Sequence, residues 1–209
     1  MSLVRGTQLI TGAAAITRRR VLDTLRGVAE SYGFEELVLP SLEFAALYTE
    51  KAGPEVLGQM YTFPDRKGRE LCLRPEGTAT CQWLARTDWR DRHDVKVWYE
   101  ARCWRYERPQ AGRYREFTQF GLEILNPYTT QEYRQHWMLE IAKTMVHSFT
   151  KEYVVWPTQR RGLAYYQGDG FEITCPALGA QQQVVGGGTY AEGVGFAVGV
   201  DRLCLVAAP

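Results

Sequence analysis

Residues 101–125, ARCWRYERPQAGRYREFTQFGLEIL, place five arginines and three glutamates among five aromatic side chains. Such a density of fixed charge between apolar flanks has two interpretations: a charged hairpin exposed to water, or a site that binds a phosphate and a polar substrate. Arginine suits the second, because its planar, permanently charged guanidinium can hold a phosphate through two parallel hydrogen bonds. Arg105 is the candidate for this role, and residues 86–115 carry nine Lys or Arg against five Asp or Glu.

Side chains alternate between the two faces of a strand, so each arm of this hairpin divides into two rows. On the return arm, the polar row is Gln119, Gly121 and Glu123, on the same face as one another. The opposite row is mostly apolar and predicts a core-facing surface: Thr118, Phe120, Leu122 and Ile124. Gly121 is expected to leave room for a ligand between its two polar neighbours. Alternation alone leaves an ordinary amphipathic hairpin with a solvated face as the alternative.

A second candidate is the pentapeptide Arg74-Pro75-Glu76-Gly77-Thr78, which lies between a predicted strand and a predicted helix. Glu76 and Thr78 could direct a carboxylate and a hydroxyl at a ligand's ammonium group. The alternative is a plain helix start, with Thr78 as the N-cap residue.

The glycine-rich end of the chain supplies the last candidates. Gly186-Gly187-Gly188-Thr189-Tyr190 permits close backbone contact with a ligand, although such runs are also ordinary turns. The segment GFAVGVDR alternates small and apolar residues before Arg202, which predicts either a shelf for something flat or a tightly packed strand. Neither the P-loop pattern nor the GxGxxG pattern occurs, so a nucleotide would be held in some other way.

The composition limits the class of protein and the kinds of site that the chain can contain. A chain of 209 residues with 45% hydrophobic residues predicts one globular domain, residues 1–209, and the net charge of +1 gives no global attraction to nucleic acid. Five scattered cysteines without a CxxC pair predict reduced thiols, and three scattered histidines predict no metal site. No apolar run approaches the roughly 18 residues that span a bilayer, and the start lacks a signal-peptide pattern. We therefore expect a cytoplasmic protein with no membrane association.

Hydrophobic spacing predicts the elements that position these residues. Helices are expected at residues 15–32, ended by Gly33, from Thr78 onward, and at residues 133–149. Strands are expected at residues 34–44, interrupted by Pro40, in a hairpin at residues 60–74, at residues 95–106 and 116–125, and through the glycine-rich last fifty residues. Hairpins outnumber strand–helix–strand units, so the predicted fold class is α+β, with a mainly antiparallel sheet flanked by helices.

Taken in chain order, these pieces closely resemble one known family. LVLPSLE, RPEGT, WRYERPQAGRYREFTQFGLE, RRGLAYY, GGGTY and GFAVGVDRL are similar to the motifs of the class II aminoacyl-tRNA synthetases, and within them to the histidyl-tRNA synthetase catalytic core. The resemblance runs from about Arg5 to Leu205. It implies the class II catalytic fold and the activation of histidine by ATP and Mg²⁺, with possible transfer to tRNA.

The resemblance also implies roles for individual residues. ATP would be bound by Arg105, Glu107, Arg113 and Arg202. The catalytic arginines would be Arg105, Arg161 and Arg202. The ammonium and carboxylate of histidine would be held by Glu76, Thr78 and Gln119, and its imidazole by Glu123, Tyr166 and Tyr190. A homodimer is implied, with Pro40 at its interface.

Several positions depart from the family pattern. Only 37 residues, 124–160, separate Glu123 from Arg161, and the chain ends seven residues after Arg202, so neither the insertion domain nor the anticodon-binding domain is expected. Ala164, Thr189 and Ala191 replace an acidic residue, an arginine and an aspartate of the family motifs, and Gly168-Asp169-Gly170 is also atypical. These departures favour a second function: a non-catalytic, histidine-binding regulatory subunit like the synthetase-like partner of ATP phosphoribosyltransferase.

Overall fold

A seven-stranded sheet and a separate three-stranded sheet carry the fold. The structure, a computed structural model, describes residues 2–49, 54–160 and 165–207. Its helices are α1 Gly12–Ser31, α2 Ala46–Thr49, α3 Pro54–Leu57, α4 Thr78–Arg86, α5 Gln131–His147 and α6 Val200–Ala207, with a 3-10 turn at Pro176–Leu178. Its strands are β1 Glu35–Glu36, β2 Leu42–Phe44, β3 Tyr61–Pro64, β4 Glu70–Leu73, β5 Val95–Trp104, β6 Glu116–Leu125, β7 Val154–Arg160, β8 Asp169–Thr174, β9 Gln183–Tyr190 and β10 Gly193–Gly199.

The larger sheet has the strand order β1-β5-β6-β10-β9-β8-β7, and the smaller one β2-β4-β3. All pairings are antiparallel except that of β1 with β5. The predicted α+β class with a mainly antiparallel sheet is therefore confirmed. The charged hairpin forms β5 and β6, paired from Val95↔Leu125 to Trp104↔Glu116, inside the larger sheet.

Both faces of the β5–β6 hairpin are covered. The apolar row of β6 packs with Trp98 into a core that also contains residues of α1, α5 and α6, and Trp98 stacks on Phe120 with ring centroids 5.2 Å apart. The other face carries a second, smaller core that contains Tyr99, Cys103 and Tyr190. The alternative of a hairpin with one solvated face is therefore wrong.

The predicted helices are present, with shifted ends. α1 begins at Gly12, three residues before the predicted start at residue 15, and Gly33 follows it with the left-handed φ of +77° that favours glycine. α5 covers residues 131–147 and not 133–149. Among the described residues, no helix is both long enough and apolar enough to cross a membrane.

Two predicted strands differ in the structure. The predicted strand 34–44 is two short strands, β1 and β2, in different sheets, with the exposed Pro40 in the connection. This segment passes from the larger sheet to the smaller one. Leu37 N–H still donates to Trp98 O of β5, whereas Ser41 O accepts from the N–H of Arg74, which follows β4. β5 ends at Trp104 and not at residue 106, because Tyr106 N–H donates to Gln59 O, 2.7 Å away, outside the ladder with β6.

Candidate functional site

An open cleft of about 310 Å³ lies beside the β5–β6 hairpin. Eight of the residues predicted from sequence line it: Glu76, Thr78, Arg105, Glu107, Arg113, Gln119, Tyr166 and Arg202. They come from α4, β6, α6 and the connections around them, so the fold brings distant parts of the chain to one place. Arg161 and Ala164 lie outside the described residues.

One end of the cleft is cationic. Arg105 follows directly after β5, and its Nε donates to Pro75 O at 2.9 Å, which fixes the guanidinium next to the segment that leads into α4. Its guanidinium carbon also lies 5.4 Å from the centroid of the Phe117 ring. Arg113 forms an ion pair with Glu107 in the same loop. These contacts hold two arginines at the wall of the cleft.

Arg202 joins this cationic end from the first turn of α6. Its guanidinium donates to Gly112 O at 2.8 Å and to Gln183 O at 2.7 Å, which ties the loop between β5 and β6 to the start of β9. Burial lowers the pKa of Arg202, and the neighbouring positive charges of Arg113 and Arg105 act in the same direction. A bound anion would relieve this repulsion, so the cluster suits a phosphate.

Glu76 has a structural role that the sequence did not show. Its carboxylate accepts from Thr78 N–H at 2.7 Å and from Ala79 N–H at 2.9 Å, so this side chain caps the start of α4. The prediction of Thr78 as the N-cap residue is wrong: Gly77 holds that position and Thr78 is the first helical residue. Burial raises the pKa of Glu76, although these two hydrogen bonds and the charge of Arg105 oppose the rise.

Glu123 is fully buried and is bound by three hydroxyl groups. Thr78 Oγ1 donates to Oε1 at 2.8 Å, Tyr99 OH donates to the same oxygen at 3.3 Å, and Tyr190 OH donates to Oε2 at 2.7 Å. Burial raises the pKa of Glu123 to about 8, despite these hydrogen bonds. Neither Glu123 nor Tyr190 is among the residues that line the cleft, so in this structure both lie beneath its floor.

Glycines make room for protein side chains at two places where ligand contact was considered. The ring of Tyr99 lies over Gly121, where an added Cβ would be 2.1 Å from Tyr99 Cζ, so the expected space for a ligand above Gly121 is filled. A Cβ on Gly195 would lie 1.5 Å from Glu123 Oε2, so this glycine of the paired strand β10 accommodates the carboxylate.

The triple glycine forms part of β9 and is not a turn. A Cβ on Gly187 would lie 2.6 Å from both Phe171 and Phe196, which shows that close packing between strands requires this glycine. Gly186 lines the cleft together with Ala197 and Gly199 of β10, two of the small residues of the segment GFAVGVDR.

Two site residues were missed by the sequence analysis, Tyr99 and Tyr165. Tyr165 is buried, lines the cleft and donates to Glu76 Oε2 at 3.3 Å. Tyr99 is opposite Gly121 in the β5–β6 ladder. Strand alternation places Tyr99 on the same face as Cys103. It could have identified Tyr99 as a neighbour of Gly121 only if the register of β5 against β6 had been known.

The described residues contain no group of three or more His, Cys, Asp or Glu side chains arranged to hold a metal ion. Glu107 and Glu172 are carboxylates of the cleft wall. Mg²⁺ is commonly bound through one or two carboxylates together with substrate phosphates, so these two residues are compatible with an ion that enters with a nucleotide.

Comparisons with known proteins identify what this arrangement is similar to. The family described as Histidyl-tRNA synthetase matches residues 10–150. A histidine–tRNA ligase of Aquifex aeolicus is 44% identical over 126 residues, which are 58% of this chain and 31% of that protein. The chain thus matches less than a third of that relative's length.

Two solved structures share the fold across the whole chain. The apo histidyl-tRNA synthetase of S. aureus has a TM-score of 0.80 at 23% identity, covering 99% of this chain and 70% of that one. A Bacillus halodurans protein described as an ATP phosphoribosyltransferase regulatory subunit/histidyl-tRNA synthetase has a TM-score of 0.82 at 14% identity, covering 100% of this chain and 83% of that one.

Proposed function

This chain belongs to the histidyl-tRNA synthetase family, and on that premise we propose that its cleft joins histidine to ATP, forming histidyl-adenylate and releasing pyrophosphate. The observation that carries this proposal is the placement of Arg105, Arg113 and Arg202 at one wall of a cleft whose floor covers Glu123. On this proposal, an anion-binding end and an amino-acid-binding end adjoin in one site.

The reaction suits these residue types. The carboxylate of histidine attacks the α-phosphorus of ATP and expels pyrophosphate, so no protein nucleophile is needed. Positioning and neutralisation of charge on the phosphoryl oxygens provide the catalysis. Arg105 would hold the α-phosphate and the substrate carboxylate, because its bond to Pro75 O keeps it at the cleft wall beside the segment that leads into α4. Mg²⁺ would enter with ATP and neutralise phosphate charge beside Glu107 and Glu172.

On this proposal, the imidazole of histidine would take a further acceptor position of Glu123. A carboxylate offers about four lone-pair positions, and three hydroxyl groups already donate to Glu123. A ring N–H would take the remaining position. An apolar amino acid would leave this buried carboxylate without that partner, which disfavours its binding. Glu76 and Gln119 would bind the ammonium group, with Tyr166 beside the ring.

A second candidate is histidine binding without activation. Thr189, where the family motif has arginine, donates its hydroxyl to Gln167 O at 2.7 Å and so takes part in a local backbone contact. Ala191, where the motif has aspartate, is exposed. The B. halodurans structure, whose description includes a regulatory subunit, shares this fold. These observations favour a regulatory subunit that senses histidine.

Histidine-dependent exchange of pyrophosphate into ATP separates the two candidates. Activation predicts exchange that requires histidine and is lost in Arg161→Ala. Histidine binding by calorimetry without any exchange would instead establish the regulatory function. Exchange with a different amino acid would overturn the assignment of Glu123 as the imidazole partner. Transfer of the activated histidine to tRNA would follow as a separate assay on the active protein.

The outer face of the three-stranded sheet supports a homodimer. Leu42 and Phe44 of β2 and Phe63 of β3 share this face, as the pairing of β4 with both strands requires, and they are 49%, 51% and 41% exposed. A second copy is the proposed occupant, since burial of such side chains is favourable. We place the protein in the cytoplasm, where its five free cysteines would remain reduced.

A further inference from the structure

Tyr99 lies directly beside Glu123, although no motif singled it out. Its side chain is fully buried, and its ring fills the space between two glycines of different elements. A Cβ would lie 2.1 Å from Tyr99 Cζ if it were placed on Gly121, and 2.4 Å from Cε2 if it were placed on Gly77. The ring is therefore held on both sides by the backbone, and its hydroxyl has little freedom to move.

The fixed hydroxyl of Tyr99 is directed at Glu123. It lies 3.3 Å from Glu123 Oε1 and 3.5 Å from Thr78 Oγ1, while Thr78 Oγ1 is itself 2.8 Å from the same carboxylate oxygen. Tyr190 binds the other carboxylate oxygen at 2.7 Å. The two oxygens of Glu123 are thus bound from α4, β5 and β9, which leaves the carboxylate a single orientation.

We propose that Tyr99 is a positioning residue of this site, whose hydroxyl orients the Glu123 carboxylate toward the ring N–H of the bound ligand. The inference rests on the proposed function for the identity of the ligand, an imidazole-bearing amino acid. Tyr99 is thus added to the residues of the site as one that acts through Glu123 and does not itself line the cleft.

The hydroxyl also affects the charge on Glu123. Burial disfavours the ionised carboxylate, and the hydrogen bonds from Tyr190, Thr78 and Tyr99 favour it. The titratable groups that face Glu123 are Glu76 and Cys81 from the α4 side, Tyr99 from β5, Tyr165, and Tyr190 from β9. Burial raises the pKa of each of them, and the charge of Glu76 adds to the effect of burial in raising the pKa of Glu123.

Tyr99→Phe tests the proposal because it removes the hydroxyl and keeps the ring that packs between the two glycines. In the ligand-free protein, carbon-13 NMR of labelled glutamate carboxyl groups follows the titration of Glu123. We expect its midpoint to rise by roughly half a unit to one unit, since the ionised form loses a donor. Calorimetry at pH 7.5 should show histidine binding weakened roughly three- to tenfold, in proportion to the smaller ionised fraction.

Tyr48→Phe is the matched control. It removes another buried tyrosine hydroxyl, which donates to the Glu43 carboxylate and to Glu76 O, and it should leave the Glu123 midpoint unchanged. An unchanged midpoint in Tyr99→Phe would overturn the proposal and reduce Tyr99 to a packing residue, as would an equal shift in Tyr48→Phe. A shifted midpoint in a protein that binds no histidine would support the link from Tyr99 to Glu123 and refute the proposed function.

Discussion

Replacing Glu123 with glutamine is expected to stabilise the protein at neutral and alkaline pH while it weakens histidine binding. The pKa of Glu123 rises from 4.5 to about 8 on folding. Between these values, the folded protein retains a proton that the unfolded chain has lost. The stability of the natural protein therefore falls as the pH rises through this window. Glutamine does not titrate, so its variant escapes this loss.

The magnitude follows from the two pKa values. A carboxyl group that titrates at about 8 in the folded protein and at 4.5 in the unfolded chain lowers the free energy of unfolding by about 5 kcal/mol once the pH exceeds 8. Glutamine removes this pH-dependent loss, whereas its buried amide, which must find partners among the hydroxyls of Thr78, Tyr99 and Tyr190, changes the stability by the same amount at every pH. From pH 5 to pH 8.5 the stability of Glu123→Gln relative to the natural protein should therefore rise by about 4 kcal/mol.

Urea unfolding of both proteins at pH 5, 7 and 8.5, at one protein concentration, measures this difference. Glu116→Gln is the control, because Glu116 pairs with the exposed Arg102 on the surface, and its effect should be small at every pH. A difference between Glu123→Gln and the natural protein that does not change with pH would refute the reasoning. It would mean that Glu123 titrates alike in the folded and unfolded states.

Two further predictions concern packing and assembly. Gly121→Ala should lower the free energy of unfolding by about 3 kcal/mol, since its Cβ would overlap the Tyr99 ring, whereas Gly27→Ala in α1, with open space at its Cβ position, should raise it by about 0.5–1 kcal/mol. Thermal unfolding measures both, and a tolerated Gly121→Ala would mean that the ring can move. Phe44→Asp should shift the proposed dimer toward monomer in sedimentation experiments, while Leu205→Asp, at a comparably exposed position on α6, should not. Equal dimerisation of the two variants would place the interface elsewhere.

The arrangement of the hairpin could be predicted from the sequence because strand alternation is a local property. It correctly placed Gln119 and Glu123 on one face of β6 and the apolar row on the other. The end of α1 at Gly33 was likewise predictable, since a positive φ after a helix favours glycine wherever the helix packs. The family could also be identified from the sequence, because the order and spacing of its motifs are properties of the chain and do not depend on packing.

The tertiary structure alone decided what surrounds those residues. The second core over the hairpin comes from segments far apart in the chain, and its burial is what raises the pKa of Glu123. The register of β5 against β6 puts Tyr99 into the space above Gly121, and the connection into α4 turns Glu76 into a helix cap. Periodicity assigns a side chain to a face of its own element, but the atoms that meet it there depend on how distant elements pack.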